Sequence, residues 1–286
     1  MMTIIGMVVV LGSIIGGYMM EKGNLSILFQ PAELLIIGGA AIGALIIMSG
    51  SQLKVILKSV GGVFSSKQHT KPDYLQLLML LNHLFSKAQR EGLIALESHL
   101  DVPGKSDIFV KYPVIMHDPN LLNFITDNLR MIITASMSAN DLDSLLEIDI
   151  ETQHSEATFA PGIITKIADS LPGLGIVAAV LGVTLAMGKI TEPPEVLGHT
   201  VAAALVGTFI GILACYGFVS PIATNLDNQA NAHSVGFAVV KQALIGFSQG
   251  SHPMLAVEAG RRAIPPRERP SYMEVDAEVR KWKEKK

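Results

Sequence analysis

Charged residues are absent from four stretches of the chain, residues 1–20, 34–53, 170–188 and 196–226, where apolar positions run almost without a break. Each has about the 20 residues that a helix needs to cross ~30 Å of hydrocarbon. Between the second and third stretches the pattern changes. "YLQLLMLLNHLFSKAQREG" sets apolar residues three and four apart, and "DPNLLNFITDNLRMIITASMSANDLDSLLEIDIETQHSEA" continues that period after a proline break, as amphipathic helices require. No alternating strand pattern competes with it. The fold class expected is therefore all-α, a polytopic membrane protein with four transmembrane helices and a helical domain outside the membrane.

Composition agrees with this pattern, since 49% hydrophobic and 16% charged residues are too apolar for an ordinary soluble protein. No Lys or Arg precedes the first span and no A-x-A pattern follows it, so it is expected to be a retained helix and not a cleaved signal. Of the 22 Lys and Arg residues, ten lie between Gly50 and Ser170 and ten after Pro221. Basic residues accumulate on the cytoplasmic side. The middle segment, the tail and, by parity, the N-terminus are thus expected in the cytoplasm, leaving "EKGNLSILFQP" and "KITEPPEVLG" as outer loops. The division expected is 1–53 for the first two spans, 54–169 for the cytoplasmic helical domain, 170–221 for the last two spans, and 222–286 for a cytoplasmic C-terminal helical tail. Its end, "VDAEVRKWKEKK", reads as a charged helix or a disordered segment and by itself says nothing about function.

Candidate chemistry is sparse. Gly173, Gly175 and Ala178 in "DSLPGLGIVAAVLG" match the G-x-G-x-x-G/A spacing that cradles a dinucleotide. That fingerprint follows a buried strand and precedes an acid about 20 residues on. Here Lys166, Asp169 and Pro172 stand before it and the nearest acid, Glu192, is in a turn, so a membrane helix is the better reading. Cys215 is alone, and the eight histidines show neither H-x-x-x-H nor H-E-x-x-H spacing, so no metal or other cofactor is expected. A carboxylate within a span is costly and usually functional; none lies inside these four, Glu33 and Asp169 standing at their edges. Small residues recur at four-residue spacing: Gly12 and Gly16, Gly39 and Gly43, Gly175 and Ala179, then Ala203, Gly207 and Gly211. Such faces let helices approach closely in lipid, and their density on the last two spans favours an oligomer.

The order of these features, with the blocks "DSLPGLGIVAAVLGV", "VGTFIGILACYGFVSPIA", "KAQREGLIALE" and "GRRAIPPRERPSY", resembles the MotA/TolQ/ExbB proton channel family, and within it the channel subunits of the bacterial flagellar stator. The resemblance covers nearly the whole chain. It implies a multi-pass protein of the bacterial inner membrane, not an enzyme, that couples inward proton flow to torque on the rotor. The implied partners are a MotB-like single-span subunit anchored to peptidoglycan, which carries the ion on its own aspartate, the rotor protein FliG, and further copies of the chain, forming a pentamer; nucleic acid is not among them. The alternative is an ExbB- or TolQ-like energiser of outer-membrane processes. A secondary transporter would show intramembrane charges or paired broken helices, and a membrane enzyme a nucleophile with its base; neither pattern is present.

The resemblance also implies the site. Pro172, Ala179, Leu205, Thr208 and Pro221 belong to the ion path and its coupling. Pro221 lacks the N–H that would bond the Gly217 carbonyl, so a kink and an unpaired acceptor are expected there; Pro172 reads either as its counterpart or as the start of a helix. Sodium-driven relatives place one threonine hydroxyl on the third span facing another on the fourth. Thr208 matches the second and Ala179 replaces the first, while Thr184, five residues on, is about 140° around the helix, so the proton is the expected ion. The rotor contact is expected at Arg90 and Glu97, with Gln89 at the usual arginine position. Those two would share a helix face if the helix runs through Gly92.

Overall fold

The computed structural model describes residues 2–63, 70–135 and 137–284, and among them helices are joined by turns with no strand. In chain order the helices are α1 (Met2–Met20), α2 (Leu25–Leu28), α3 (Pro31–Ser49), α4 (Leu53–Gly62), α5 (Lys71–Glu91), α6 (Glu97–Asp101), α7 (Pro113–Met116), α8 (Pro119–Thr134), α9 (Ala139–Met187), α10 (Pro194–Leu213), α11 (Ser220–Ser248), α12 (Pro253–Ala263) and α13 (Tyr272–Glu284). Four helical stretches are long and apolar enough to cross a membrane. The third and fourth extend well past their charge-free windows, the third as 49 residues of unbroken helix.

Two compact units divide the chain, Met1–Ser66 with Glu156–Gln229 and Lys67–Ser155 with Ala230–Lys286. In the first, α4 turns its Ile56 onto Ile163 and Ile164 of α9 and Ala223 and Leu226 of α11. Ile37 of α3 joins Ala168, Leu171 and Ala178 of α9 and Cys215 in a second small core. No residue of α1 is buried. Lipid is as apolar as these side chains, so nothing drives them inward.

The second unit has a conventional core. α5 begins with a capping box, Thr70 and Asp73 satisfying each other's backbone N–H groups. It supplies Leu78, Leu80, Leu81, Leu84 and Phe85, all fully buried. Phe85 stacks on Phe247 with centroids 4.3 Å apart, and Phe124 meets Phe237 edge-on at 5.1 Å; pairs of this kind contribute about 0.5–1.5 kcal/mol beyond burial. Lys241 is 8% exposed within this core. Burial opposes its charge, but Asp143 and Glu147, one turn apart on α9, bond its Nζ and hold its pKa above the ordinary lysine value.

Helix α5 stops where the sequence has Gly92, whose φ of +89° suits glycine alone. The chain passes through a 3₁₀ turn, Leu93–Leu96, before α6 begins at Glu97. The shared-face argument for Arg90 and Glu97 therefore does not hold. The tail that reads as helix or disorder belongs to helix α13 as far as Glu284, its last two residues lying outside the described ones, and Val275 and Val279 are buried in the core of the second unit.

Candidate functional site

Helices α9 and α10 meet through residues without side chains. A Cβ on Gly211 would lie 2.6 Å from the Leu171 carbonyl oxygen and 2.9 Å from the Gly175 Cα; one on Gly175 would lie 2.8 Å from the Gly207 carbonyl oxygen. Higher up, a Cβ on Gly182 would lie 2.6 Å from the Ala204 Cβ. The two backbones thus touch over three turns, and that closeness is available only to glycine and alanine. Gly175, Gly207 and Gly211 of the small-residue pattern form this contact. Ala178 and Ala204 bury their methyls more fully than their pattern neighbours Ala179 and Ala203. Gly12, Gly16, Gly39 and Gly43 have open space before them.

The candidate ion-path residues spread along this pair. Ala179 and Thr208 both lie along this contact, Ala179 beside Gly207, where a Cβ would be 3.3 Å from its nitrogen, and Thr208 beside Gly175, where a Cβ would be 3.3 Å from its Cα. Both are half-buried. Thr184 donates its hydroxyl to the Val180 carbonyl at 2.8 Å, which turns it to its own helix. Leu205 and Pro221 are exposed and stand apart from this contact. Pro172 is half-buried inside α9, one residue from the Leu171–Gly211 contact. Its reading as a helix start is corrected: α9 begins at Ala139, more than thirty residues earlier, and also runs through Pro161.

Before Pro221 the helix changes register. Ala214–Val219 is a π-helical stretch, and the Ser220 N–H donates to the Cys215 carbonyl five residues back. The wider turn gives the Pro221 ring room where an α-helix would set it against the carbonyl of residue 217, so the strain expected of this proline is taken up by an inserted residue. Sequence reasoning missed this turn, which nothing in the residue types announces. Glu33 stands at the edge of the second span, in the first turn of α3, but what the sequence did not show is that it is buried there, 7% exposed. Pro31, at the first helical position, and the i, i+4 pairing of Glu33 with Ile37 were the signals available.

The candidate rotor residues Gln89, Arg90 and Glu97 are all exposed. Arg90 is not bare: its Nε donates to the Ser86 carbonyl at 3.1 Å and its guanidinium lies 5.6 Å from the centre of the Trp282 ring on α13. Trp282 in turn stacks on His83, centroids 4.2 Å apart. Lys71 ties α13 to the start of α5 through Glu274 at 2.8 Å. That lysine, and then the Ser271 N–H, hold the Glu274 carboxyl down at about 2. The block "GRRAIPPRERPSY" makes the turn that returns α13 to α5. Arg261 donates to Glu258 at 2.6 Å and to the Pro270 carbonyl at 2.8 Å, and Arg269 donates to the Ile264 and Arg262 carbonyls.

Comparison with known proteins agrees with this architecture. The Motility protein A N-terminal family model matches residues 4–92, and the MotA/TolQ/ExbB proton channel family model matches residues 120–237. Motility protein A of Salmonella typhimurium is 41% identical over 98% of this chain and 95% of its own length, and that of Escherichia coli 42% over the same shares. Chemotaxis protein LafT of Vibrio parahaemolyticus is 36% identical over 99% of this chain and 98% of its own. In three dimensions the chain is similar to a solved structure of C. jejuni MotAB, with a TM-score of 0.76 at 22% identity, covering 94% of this chain and 98% of that one. A flagellar MotAB stator complex from Bacillus subtilis gives 0.75 at 23%, with the same coverage. Four membrane helices, a helical second unit and near full-length likeness on this scale place the protein: it is a multi-pass membrane protein that belongs to the motility protein A family, within the MotA/TolQ/ExbB proton channels.

Proposed function

We propose that this chain is the channel-forming stator subunit of a bacterial flagellar motor, coupling inward proton flow to torque on the rotor. The observation that carries the reading is the α9–α10 pair, whose glycine contact packs two apolar spans together in a chain alike to motility protein A from end to end. No hydrated, charge-lined pore belongs to such a pair. The ion is instead carried by a MotB-like partner helix, against which several copies of α9 and α10 form the wall. Apolar positions left uncovered on these helices, among them Val180, Leu185 and Leu205, leave room for further copies of the chain, which the resemblance implies form a pentamer. The membrane is the inner membrane, and the distribution of basic residues supports a cytoplasmic position for both termini and the second unit. Pro172 and Pro221 serve the coupling, Ala179, Leu205 and Thr208 the ion path, and Arg90, Glu97 and Gln89 the contact with FliG.

Deleting the gene tests the reading. Paralysed cells that still carry complete filaments, restored by the plasmid-borne gene, are the expected outcome. Swimming cells with defective iron uptake or a leaky envelope would overturn it in favour of an ExbB- or TolQ-like energiser.

A further inference from the structure

Glu33 is the third residue of α3, behind Pro31 at the first position. A carboxylate in that place commonly folds back onto the N-cap N–H, as Asp73 does to the Thr70 nitrogen at 2.8 Å. Glu33 does not. Its side chain enters a slot beside α9 and α10, with Oε2 2.8 Å from the place of a Cβ on Gly207 and Oε1 3.6 Å from that of a Cβ on Gly182. The residue is 7% exposed, and Oε2 is buried with no hydrogen-bond partner. Gly207 and Gly182 face it, with the methyls of Ala178 and Ala204 beside them, and Ile37 lies one turn along its own helix. None of these groups titrates or donates. The slot exists because two glycines leave it open, and one of them, Gly207, also faces the Ala179 nitrogen and precedes Thr208 in the chain.

An unpaired carboxylate in hydrocarbon is far costlier charged than neutral, and intramembrane carboxyl groups are typically steps on a proton path. We propose that Glu33 is a proton-exchange site of the channel chain itself, on the outer side of the ion path. At rest its carboxyl holds a proton. In the exchange the Glu33 O–H bond breaks as an O–H bond forms on a water entering the slot, making hydronium, and the carboxylate left behind takes its proton from a hydronium of the outer solution. The site rests on the proton-conducting reading above and adds to it a first acceptor on the α3 side of the α9–α10 pair. Glycine at 182 and 207 is then a requirement of the site as well as of packing.

The test uses cells carrying the complete stator, with the chain fluorescently tagged, and measures the number of stator units at each motor and the torque as external pH is varied in sodium-free medium. Glu33→Gln keeps the shape of the side chain and removes its exchangeable proton. Recruitment equal to the parent with a severalfold loss of torque is the expected result, and Glu33→Asp should rotate with its torque–pH curve displaced. Parental torque in Glu33→Gln at every pH would overturn the site. Should Glu33→Gln fail to be recruited, Glu33→Asp decides: a displaced curve supports exchange and a parental curve rejects it. A parent motor that itself stops without sodium overturns the proton reading as a whole. A parent that runs there beside an indifferent Glu33→Gln overturns only this inference.

Discussion

Glycine at 211 differs from glycine at 17 in what lies across from it. The first faces the Leu171 carbonyl at 2.6 Å from the place of a Cβ, the second faces open space. A backbone oxygen cannot swing aside as a flexible side chain can, so Gly211→Val must push α9 and α10 apart. Overpacking a tight contact costs about 1–3 kcal/mol, and a fixed backbone obstacle puts this substitution at the upper end. Thermal unfolding of the purified stator complex should show a clearly lowered midpoint for Gly211→Val and none for Gly17→Ala. Equal midpoints would mean that the helices separate without penalty. Thr184 and Ala179 act at the same scale on the choice of ion. With the Thr184 hydroxyl bonded to Val180 and only a methyl at Ala179, Thr208 lacks a hydroxyl across from it on α9. A single hydroxyl does not replace the hydration of sodium, so swimming speed should be unchanged in sodium-free medium. Speed that falls there and saturates as sodium is restored would contradict this.

Among the elements, the π-helical turn before Pro221 and the docked α13 are the two that a substitution or a change of pH can address. The turn holds one residue more than the α-helix needs, an arrangement that recurs at functional positions because the register can revert. With alanine at 221 the ring no longer demands the extra room, and an N–H is present to complete the α-helical ladder. Pro221→Ala is therefore expected to reduce torque severalfold while stator units are still recruited. Undiminished torque would sink the coupling role of this turn. Helix α13 is held by Glu274, at about 2 against the ordinary 4.5, and the turn before it by Glu258, which bonding to Arg261 holds below the ordinary value. Both are lowered carboxyl groups, so their contribution is complete above about 4.5 and is lost as pH falls below it, for Glu274 as pH falls towards about 2. Trp282 is the one tryptophan and sits on α13. Its emission should shift as α13 leaves His83 in that window, and Glu274→Gln should show the shifted emission already at neutral pH. A shift in the parent confined to higher pH would assign the docking to other groups.

For the whole molecule the proposed output is a push on the rotor from exposed charges of the second unit. Because α5 ends at Gly92, Arg90 and Glu97 present themselves from two helices, and Arg90 is steadied by the Trp282 ring. Reversal of Glu97 to Lys is expected to cut torque, and reversal of its opposite charge on FliG to restore it. Normal torque with both Arg90 and Glu97 reversed would remove the contact from this surface. Each proton that crosses supplies about 2.3 kcal/mol per 100 mV, so torque should scale with membrane potential wherever the path is intact.

By itself the sequence determined the class of the molecule. Spans show as runs without charge because hydrocarbon excludes ionised groups whatever their neighbours, and α5 shows as a 3.6-residue period because one face must be dry. Its stop at Gly92 was legible as a glycine, but the conclusion needed the φ of +89° that turns the chain there. Only the tertiary structure decided which small residues meet. Gly12 and Gly16 carry the same spacing as Gly207 and Gly211, yet only the latter pair has a backbone across from it. Likewise the sequence sets Glu33 at the edge of its span, and only the structure shows it buried in the first turn of α3 beside two glycines that leave it room. Spacing along a helix specifies a face. What that face touches depends on residues far off in the chain, and in a membrane, where hydrophobicity does not choose between neighbours, the fit of surfaces makes that choice.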